Sequence, residues 1–504
     1  MEVESLKPLV AVAVSLLGSA LIIATRKDPN IREGCSVVTA ILKFIVIATM
    51  IPAVMAGRTL HYTLFSFMPG LAIEFRVDGL GLLFAATASF LWILTTVYSI
   101  GYMRSLHMNA QSRYYTCFAL TLSATIGVAF SANLLTLFLF YEMITFVTYP
   151  LVIHNETEEA YAAGNKYLFY LLATTKVFFL TAMFLTYNLS NTLEFRPNGI
   201  FPPDADRTVM IIAYFLFIAG IAKVAIMPFH SWLPAAMVAP TPVSALLHAV
   251  AVVNAGAFCV LRIIFNVFGV ELLQSLNLSF VTAGIVSVTI IGASVYAMTR
   301  DNLKARLAYS TISQLSYIVL GGALLTPSGM TGGMMHLANH AFSKIVLFFC
   351  AGSIYVASHK TNISQMGGIG RKMPWTMAAF TIGALSIIGV PPLSGYVTKH
   401  YLTSGATEAN FTPIYYMLWI STLLSAGYLL PIVYKAYFQV PTDEGGQVEA
   451  AGGSNLEASR HAGTQPIREP SNFIVVPLLV CAVISVILGI FPGLLLRLVG
   501  QVGH

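Results

Sequence analysis

Eight residues of this chain stand where an apolar helix has no ordinary use for them. Glu142, Lys176, Lys223, His248, His336, His340, Lys344 and Lys399 each fall inside, or for Lys399 just past the end of, an apolar run of roughly twenty residues. A charge at the middle of a membrane helix costs roughly 2.5–3.5 kcal/mol on insertion scales, so four lysines and one glutamate together cost on the order of 10 kcal/mol or more. Packing alone does not offset that. Groups that take up and release protons, or line a cation path, have a reason to be there. His336, His340 and Lys344 recur at i, i+4, i+8 in MMHLANHAFSKIVLFF, which stacks them on one helix face over ~12 Å. Proton hopping through water requires such a row, and histidine, with an ordinary pKa of about 6.5, accepts and releases protons near neutrality. The metal alternative is weaker: HLANH has Leu337 where a zinc-binding HExxH helix has its glutamate, and no third ligand is evident.

The other groups read as follows. Lys223 lies five residues before Pro228 and Lys399 seven after Pro392, each near a broken turn whose freed carbonyls and water can solvate an ammonium. Glu142, in FLFYEMITFVTYPLVIH, is the only acid inside any run, and Lys223 is its expected cationic partner. Lys176, about twelve residues into its run and ~18 Å deep, is too deep for easy escape. His248, in PTPVSALLHAVAVVNAG, suits a satisfied core histidine or a relay group. Lys166 and His230 sit at run ends, where a polar anchor and an uptake role are equally open, and His400 adjoins Lys399 before an outward loop, as a candidate exit. Lys43 and Arg262, near run ends, are expected to snorkel to the headgroups.

These groups need elements to hold them in lipid. The chain of 504 residues is 57% hydrophobic and 10% charged, against about 25% charged for a soluble domain. Apolar runs fall near residues 6–25, 36–56, 79–100, 114–131, 133–153, 164–188, 208–227, 242–268, 277–299, 305–325, 331–357, 375–396, 412–437 and 472–496. An all-α integral membrane protein of about fourteen transmembrane helices is expected, as a single membrane domain over 1–504. MEVESLKPLV lacks the basic start of a signal peptide, so the first run reads as a helix that stays. Sorting the loops into two sets gives fifteen Lys and Arg residues against six, which places both termini outside the cytoplasm and the chain in the cell (cytoplasmic or inner) membrane. The net charge of +6 is spread over short loops rather than clustered, which argues against nucleic acid. Pro441 to Pro470, rich in Gly, Ser, Glu and Asp, reads as a flexible cytoplasmic connector before the last helix at 472–496. The five scattered cysteines form no CxxC pair, so no metal, cluster or other cofactor is expected. Prolines interrupt the seventh run, in AKVAIMPFHSWLPAAMVAPTP, and the twelfth, in IIGVPPLSGYVTKH. Paired interruptions five spans apart point to an internally repeated transporter with its pathway at the breaks.

FRVDGLGLLF with VYSIGYMR, FLFYEM, KVAIMPFHSWLPAAMVAPTPVSALLHAVAVVNAG, RDNLKARLAYSTISQLSYI, HLANHAFSKIVLFFCAGS and GVPPLSGYVTKH resemble the antiporter-like subunit family. That family comprises large subunits of Mrp-type cation/proton antiporters, proton-pumping subunits of respiratory complex I and relatives in membrane-bound hydrogenases. The resemblance covers roughly residues 75–400 and implies a translocating core there, with two inverted five-helix repeats, broken helices 7 and 12 and a polar axis at mid-membrane. It makes Glu142 similar to the family's glutamate on helix 5 and Lys223 to its partner on broken helix 7. His248 is similar to a histidine on helix 8, His336, His340 and Lys344 to the linking relay, and Lys399 to the lysine or glutamate on broken helix 12. Near Asn254 the family often has a lysine, a role that would pass here to His248 or Lys176.

The expected function is proton translocation as part of a larger redox-driven complex of the complex I or hydrogenase type. The alternative is a component of an Mrp-type Na⁺/H⁺ antiporter, with the cation held by carbonyls at the broken helices. Without a dinucleotide fingerprint or cysteine cluster, electron transfer would belong to partner membrane subunits. A structural scaffold is disfavoured by the buried charges, and a carrier for an organic solute by the lack of any announced pocket.

Overall fold

The computed structural model describes residues 2–68, 70–440 and 467–500, and in it nearly every apolar run is helical. The helices, in chain order, begin with α1 (Lys7–Ala24), α2 (Pro29–Ala48), α3 (Ile51–Met55), α4 (Gly79–Ser105), α5 (Gln111–Ala129), α6 (Leu134–Val152), α7 (Glu158–Thr174) and α8 (Leu180–Ser190). Then come α9 (Arg207–Gly220), α10 (Trp232–Ala235), α11 (Thr241–Ala245), α12 (Val252–Arg262), α13 (Val270–Ser275), α14 (Leu278–Thr299), α15 (Leu303–Ala323) and α16 (Pro327–Ser358). The last are α17 (Ile369–Lys372), α18 (Pro374–Ile388), α19 (Ser394–Glu408), α20 (Thr412–Phe438), α21 (Asn472–Ile490) and α22 (Gly493–Gly500). Among the described residues ten helices, some joined through π-turns or short turns, are long and apolar enough to cross a membrane; α9 and α18 are apolar but shorter. Side-chain oxygens start several of them: Asp78 accepts from the Gly81 amide at 2.8 Å, Asn133 from Thr136 at 2.8 Å and Asn302 from Ala305 at 3.1 Å.

The expectation of an all-α chain needs correction. Glu2–Glu4 (β1), Thr59–Met68 (β2) and Leu71–Val77 (β3) form a three-stranded sheet, β1 parallel to β2 and β2 antiparallel to β3. β-branched and aromatic residues fill TLHYTLFSFM, and Gly70 takes the positive φ of the turn. The hairpin is tied to the helices where the Phe130 carbonyl accepts from the Arg76 amide and the Phe195 carbonyl from its guanidinium.

Burial is graded from rim to centre. The stretch Thr241–Phe268, carrying α11 and α12, is 94% buried, against about a third for Pro29–Met55 and Glu158–Ser190. The centre is also where helices break. After α9 the chain makes a single 3₁₀ turn, Ala222–Val224, then turns at Ala225 (φ 57°) before α10. Gly389, at φ 92°, ends α18, and a Cβ there would lie 2.8 Å from Lys399 Cδ, so glycine is required both by conformation and by space. Residues 441–466 of the expected connector lie outside the described residues; beyond them, Glu469 accepts from the Thr376 amide and hydroxyl ahead of α21.

Two basic residues do not snorkel. Lys43 is fully buried and Arg262 is 1% exposed, because each finds oxygen acceptors inside the helix bundle. Arg262 forms a two-pronged pair with Asp78 at 2.5 and 2.6 Å, bonds Asn266, and lies against the Phe258 and Phe195 rings. The pair ties the start of α4 to the end of α12. Burial by itself raises the Asp78 carboxyl, but Arg262 outweighs it and holds the group below the ordinary carboxylate value. The stabilisation is therefore complete above about pH 4 and is lost as pH falls through the lowered folded-state value. Asp78→Asn leaves the guanidinium buried beside a neutral group and is expected to destabilise the fold by about 3–5 kcal/mol. Thermal unfolding in detergent checks this; an unchanged midpoint would show that the pair is not a staple.

Candidate functional site

Of the eight sequence-selected residues seven are buried: Glu142, Lys223, His248, His336, His340, Lys344 and Lys399 are each exposed by 8% or less. The eighth, Lys176, is half-exposed.

At one end the Lys176 ammonium donates to Glu142 Oε2 at 2.7 Å and lies 5.1 Å from the Phe138 ring. This corrects the expected Glu142–Lys223 pair. Lys176 sits in a π-turn, Thr175–Phe179, joining α7 to α8, and the turn presents it to α6. Lys223 instead donates to the Tyr141 carbonyl at 2.7 Å, with its ammonium 3.3 Å from the centre of the Tyr141 ring. Tyr141 precedes Glu142, so both lysines converge on one turn of α6. Trp232 Nε1 donates to the Ala222 carbonyl at 3.0 Å and fixes the broken segment that carries Lys223.

The middle of the row is built on a second irregularity. Leu246–Val250 is a π-turn holding His248, whose ring lies 4.9 Å from that of Phe348 on α16. The turn leaves the Ala249 carbonyl to accept from Asn254 Nδ2 at 2.7 Å, so Asn254 satisfies a backbone group that the turn frees. Both ring nitrogens of His248 and of His340, together with Glu142 Oε1 and Asn254 Oδ1, are buried without a protein hydrogen-bond partner. A buried polar atom of this kind is where a water or a transferred proton belongs.

On α16 the spacing behaves as expected. His336 and His340 stack with ring centres 6.1 Å apart, and Lys344 follows one turn on, donating to Ser310 Oγ at 2.6 Å and the Leu307 carbonyl at 3.4 Å. His336 is hydrogen-bonded at both nitrogens, to Thr398 Oγ1 at 2.9 Å and to Gln314 Oε1, which accepts from Nε2, at 3.1 Å. Thr398 adjoins Lys399, whose ammonium donates to the Ile388 carbonyl at 2.8 Å and Thr422 Oγ1 at 3.2 Å. The Ile388 carbonyl is available because α18 stops there. His400 points away, exposed, with its ring against Tyr396. Lys166 is exposed, and His230 is half-buried with its ring 6.4 Å from Tyr309. Neither is joined to the row by a direct contact with these eight residues.

Tyr141, Ser310, Gln314, Thr398 and Thr422 are site residues that the charged side chains alone did not point to. Their signal is faint: hydroxyls and an amide in FLFYEM, YSTISQLSYI, YVTKH and ISTLLS, in spans otherwise able to be wholly apolar. The resulting arrangement seats three separate ammonium groups on neutral oxygens and places imidazoles between them.

A helical, multi-pass membrane protein with two interrupted helices and this charged interior is an antiporter-like membrane subunit. Residues 131–425 match the family described as NADH:quinone oxidoreductase/Mrp antiporter, TM. The chain belongs to that family. It is 31% identical to NAD(P)H-quinone oxidoreductase subunit 5 of the Paulinella chromatophora chromatophore, over 94% of this chain and 74% of that protein. It is 29% identical to NADH-quinone oxidoreductase subunit N of Desulforudis audaxviator, over 86% of this chain and 85% of the relative. A probable K⁺/H⁺ antiporter component of Rhizobium meliloti is 28% identical over 89% of this chain and 44% of its own length. In fold the chain is similar to one component of an archaeal membrane-bound sulfane sulfur reductase (TM-score 0.86, 23% identity, 99% of this chain and 97% of that one). A component of the Mrp complex from a Dietzia species is as close (TM-score 0.86, 21% identity, the same coverage).

Proposed function

We propose that this chain carries protons along the buried row from Glu142 and Lys176, through Lys223, His248, Lys344, His340 and His336, to Lys399, as a membrane component of a larger redox-driven complex. The observation that carries the reading is the seating of Lys223, Lys344 and Lys399 on backbone carbonyls and hydroxyls, with no acid in ion-pair contact among the described residues. An ammonium so held is solvated enough to exist in lipid and unpaired enough to lose its proton. Lys166 and His230 serve as uptake groups and Lys399 as the exit group, with exposed His400 beyond it. The translocating core is residues 75–400, in two inverted five-helix repeats within fourteen spans, the twelve apolar segments above being joined by α5 and α15. Residues 441–470 form a cytoplasmic connector, and both termini lie outside the cytoplasm.

Lys176 supports the assignment to a complex. It stands eighteen residues from one end of Glu158–Ser190 and fourteen from the other, yet its side chain is half-exposed beside exposed Phe146, Phe169 and Val177. A charge at that depth is too costly to face hydrocarbon, so a neighbouring membrane subunit covers this face. The names of the relatives, both quinone oxidoreductase and cation/proton antiporter components, support a second reading as part of an Mrp-type Na⁺/H⁺ antiporter.

The intact complex, purified through this chain and sealed into vesicles with a trapped pH dye, tests both. Acidification or alkalinisation driven by quinone reduction, without a cation gradient, is the expected result. Proton movement only when a Na⁺ or K⁺ gradient is imposed selects the second reading, and none under either drive contradicts both.

A further inference from the structure

Four N-terminal helices enclose a charge that the row does not use. Lys43, on α2, is fully buried; its ammonium donates to Ser15 Oγ of α1 at 2.5 Å and to the Leu122 carbonyl of α5 at 2.8 Å, and lies 5.5 Å from the Trp92 ring of α4. Among the described residues no carboxylate pairs with it. Trp92 Nε1 is itself buried without a protein partner.

The rest of α2 shows how this lysine is reached. Its buried residues are Arg32, Glu33, Ser36, Thr39, Ala40, Lys43 and Ile47, so the face turned inward is polar from the helix start to Lys43 and apolar beyond. Glu33, Ser36, Thr39 and Lys43 follow at steps of three or four residues, a rise of about 4.5–6 Å each, the length of a hydrogen-bonded link through one water. At the start of the stripe Glu33 is gripped by Arg104 of α4, which is itself half-exposed and bonds Asn30 at 2.7 Å, while Arg32 bonds Gln111 and Ser112 of α5 at 2.7 and 3.1 Å. Past Lys43, Ile47, Met50 and Ala11 are fully buried and close the other end. The stripe thus runs from Glu33, held by half-exposed Arg104, to Lys43, and α5 beside it also packs on α6 and α12.

We propose that Lys43 is a further proton-binding station, loaded from the Arg104 side along the α2 stripe, distinct from the central row. The Lys43 ammonium gives one proton to a water in the stripe and, as the neutral amine, regains one from a hydronium there; no other group changes charge. This rests on the reading of the chain as a proton carrier. A mere packing pin would need only the positive charge and its hydrogen bonds, and arginine supplies both but does not release a proton.

The test uses the intact complex in sealed vesicles. Lys43→Met and Lys43→Arg, at parent levels of assembly, are each expected to lower proton flux at least tenfold. Parent-level flux in either variant overturns the proposal. In a chain with its five cysteines replaced, Ser36→Cys is expected to react with an impermeant trimethylammonium thiosulfonate applied on the Arg104 side at least tenfold faster than lipid-facing Ile41→Cys. Reaction no faster than at Ile41→Cys overturns the proposal even if the Lys43 variants do not assemble. A parent that labels at Ser36→Cys but moves no protons faults the proton-carrier reading and leaves the water-filled stripe in place.

Discussion

Glu142→Gln is expected to reduce proton flux by about two to three orders of magnitude while the protein still inserts and assembles. Glutamine keeps the shape of the side chain and can still accept a hydrogen bond from Lys176, so packing around α6 is preserved. What it removes is the one negative charge in contact with Lys176 and nearest to the Lys223 seat at Tyr141. Each 1.4 kcal/mol added to a barrier is tenfold in rate, so the expected loss corresponds to about 3–4 kcal/mol. Because Lys176 and not Lys223 makes the contact, Lys176→Met should lower flux to a similar degree, and the double change Glu142→Gln with Lys176→Met should lower it little further. Flux by pH dye at matched expression decides this. Additive losses in the double variant would show that the two residues act separately.

Lys399→Ala is the second large effect. The ammonium is held on the Ile388 carbonyl released by the end of α18 and on Thr422, next to the Thr398 hydroxyl that meets His336. It is the last protonatable group joined to the row before the chain returns to the surface, so its loss should stop transport to within the vesicle leak. His400→Ala should retain most of the parent rate, since His400 is exposed on the other side of the same helix. Lys399→Glu should retain part of it, because a carboxylate also cycles a proton, although it cannot donate to the Ile388 carbonyl when ionised. Equal flux in Lys399→Ala and the parent would remove Lys399 as the exit group and leave Lys344 as the end of the row.

What the sequence made legible follows the cost of putting charge in lipid. Glu142, Lys223, Lys344 and Lys399 stand out because nothing else in or beside an apolar run explains them; the runs around Glu142 and Lys344 are within a few residues of α6 and α16, whereas the run to 227 overshoots the end of α9 at Gly220 and the run to 396 merges α18 with the first turn of α19. The i, i+4, i+8 row of α16 was readable because helical spacing by itself fixes which residues share a face. Pairing between helices is not fixed in that way. Lys176 and Lys223 are both within plausible reach of Glu142 in sequence terms, and a π-turn at Thr175–Phe179 rotates the former into contact. Lys43 and Arg262 were misjudged because distance from a run's end does not tell whether a long side chain goes to the headgroups or to an acceptor on the next helix. The sheet was missed since its strands are short, partly apolar and lie between spans. The hydroxyls of Ser310 and Thr398 were invisible as site residues because serine and threonine are common in membrane helices, where they bond their own backbone.

The account stands or falls on whether protons cross the midpoint of the row. Lys344 is the group to remove, being fully buried, one turn from His340 and within electrostatic reach of His248. In sealed vesicles carrying the intact complex, driven identically, Lys344→Met is expected to abolish proton flux while complex assembly and the reaction of the partner subunits persist. Proton flux in Lys344→Met equal to that of the parent would contradict it.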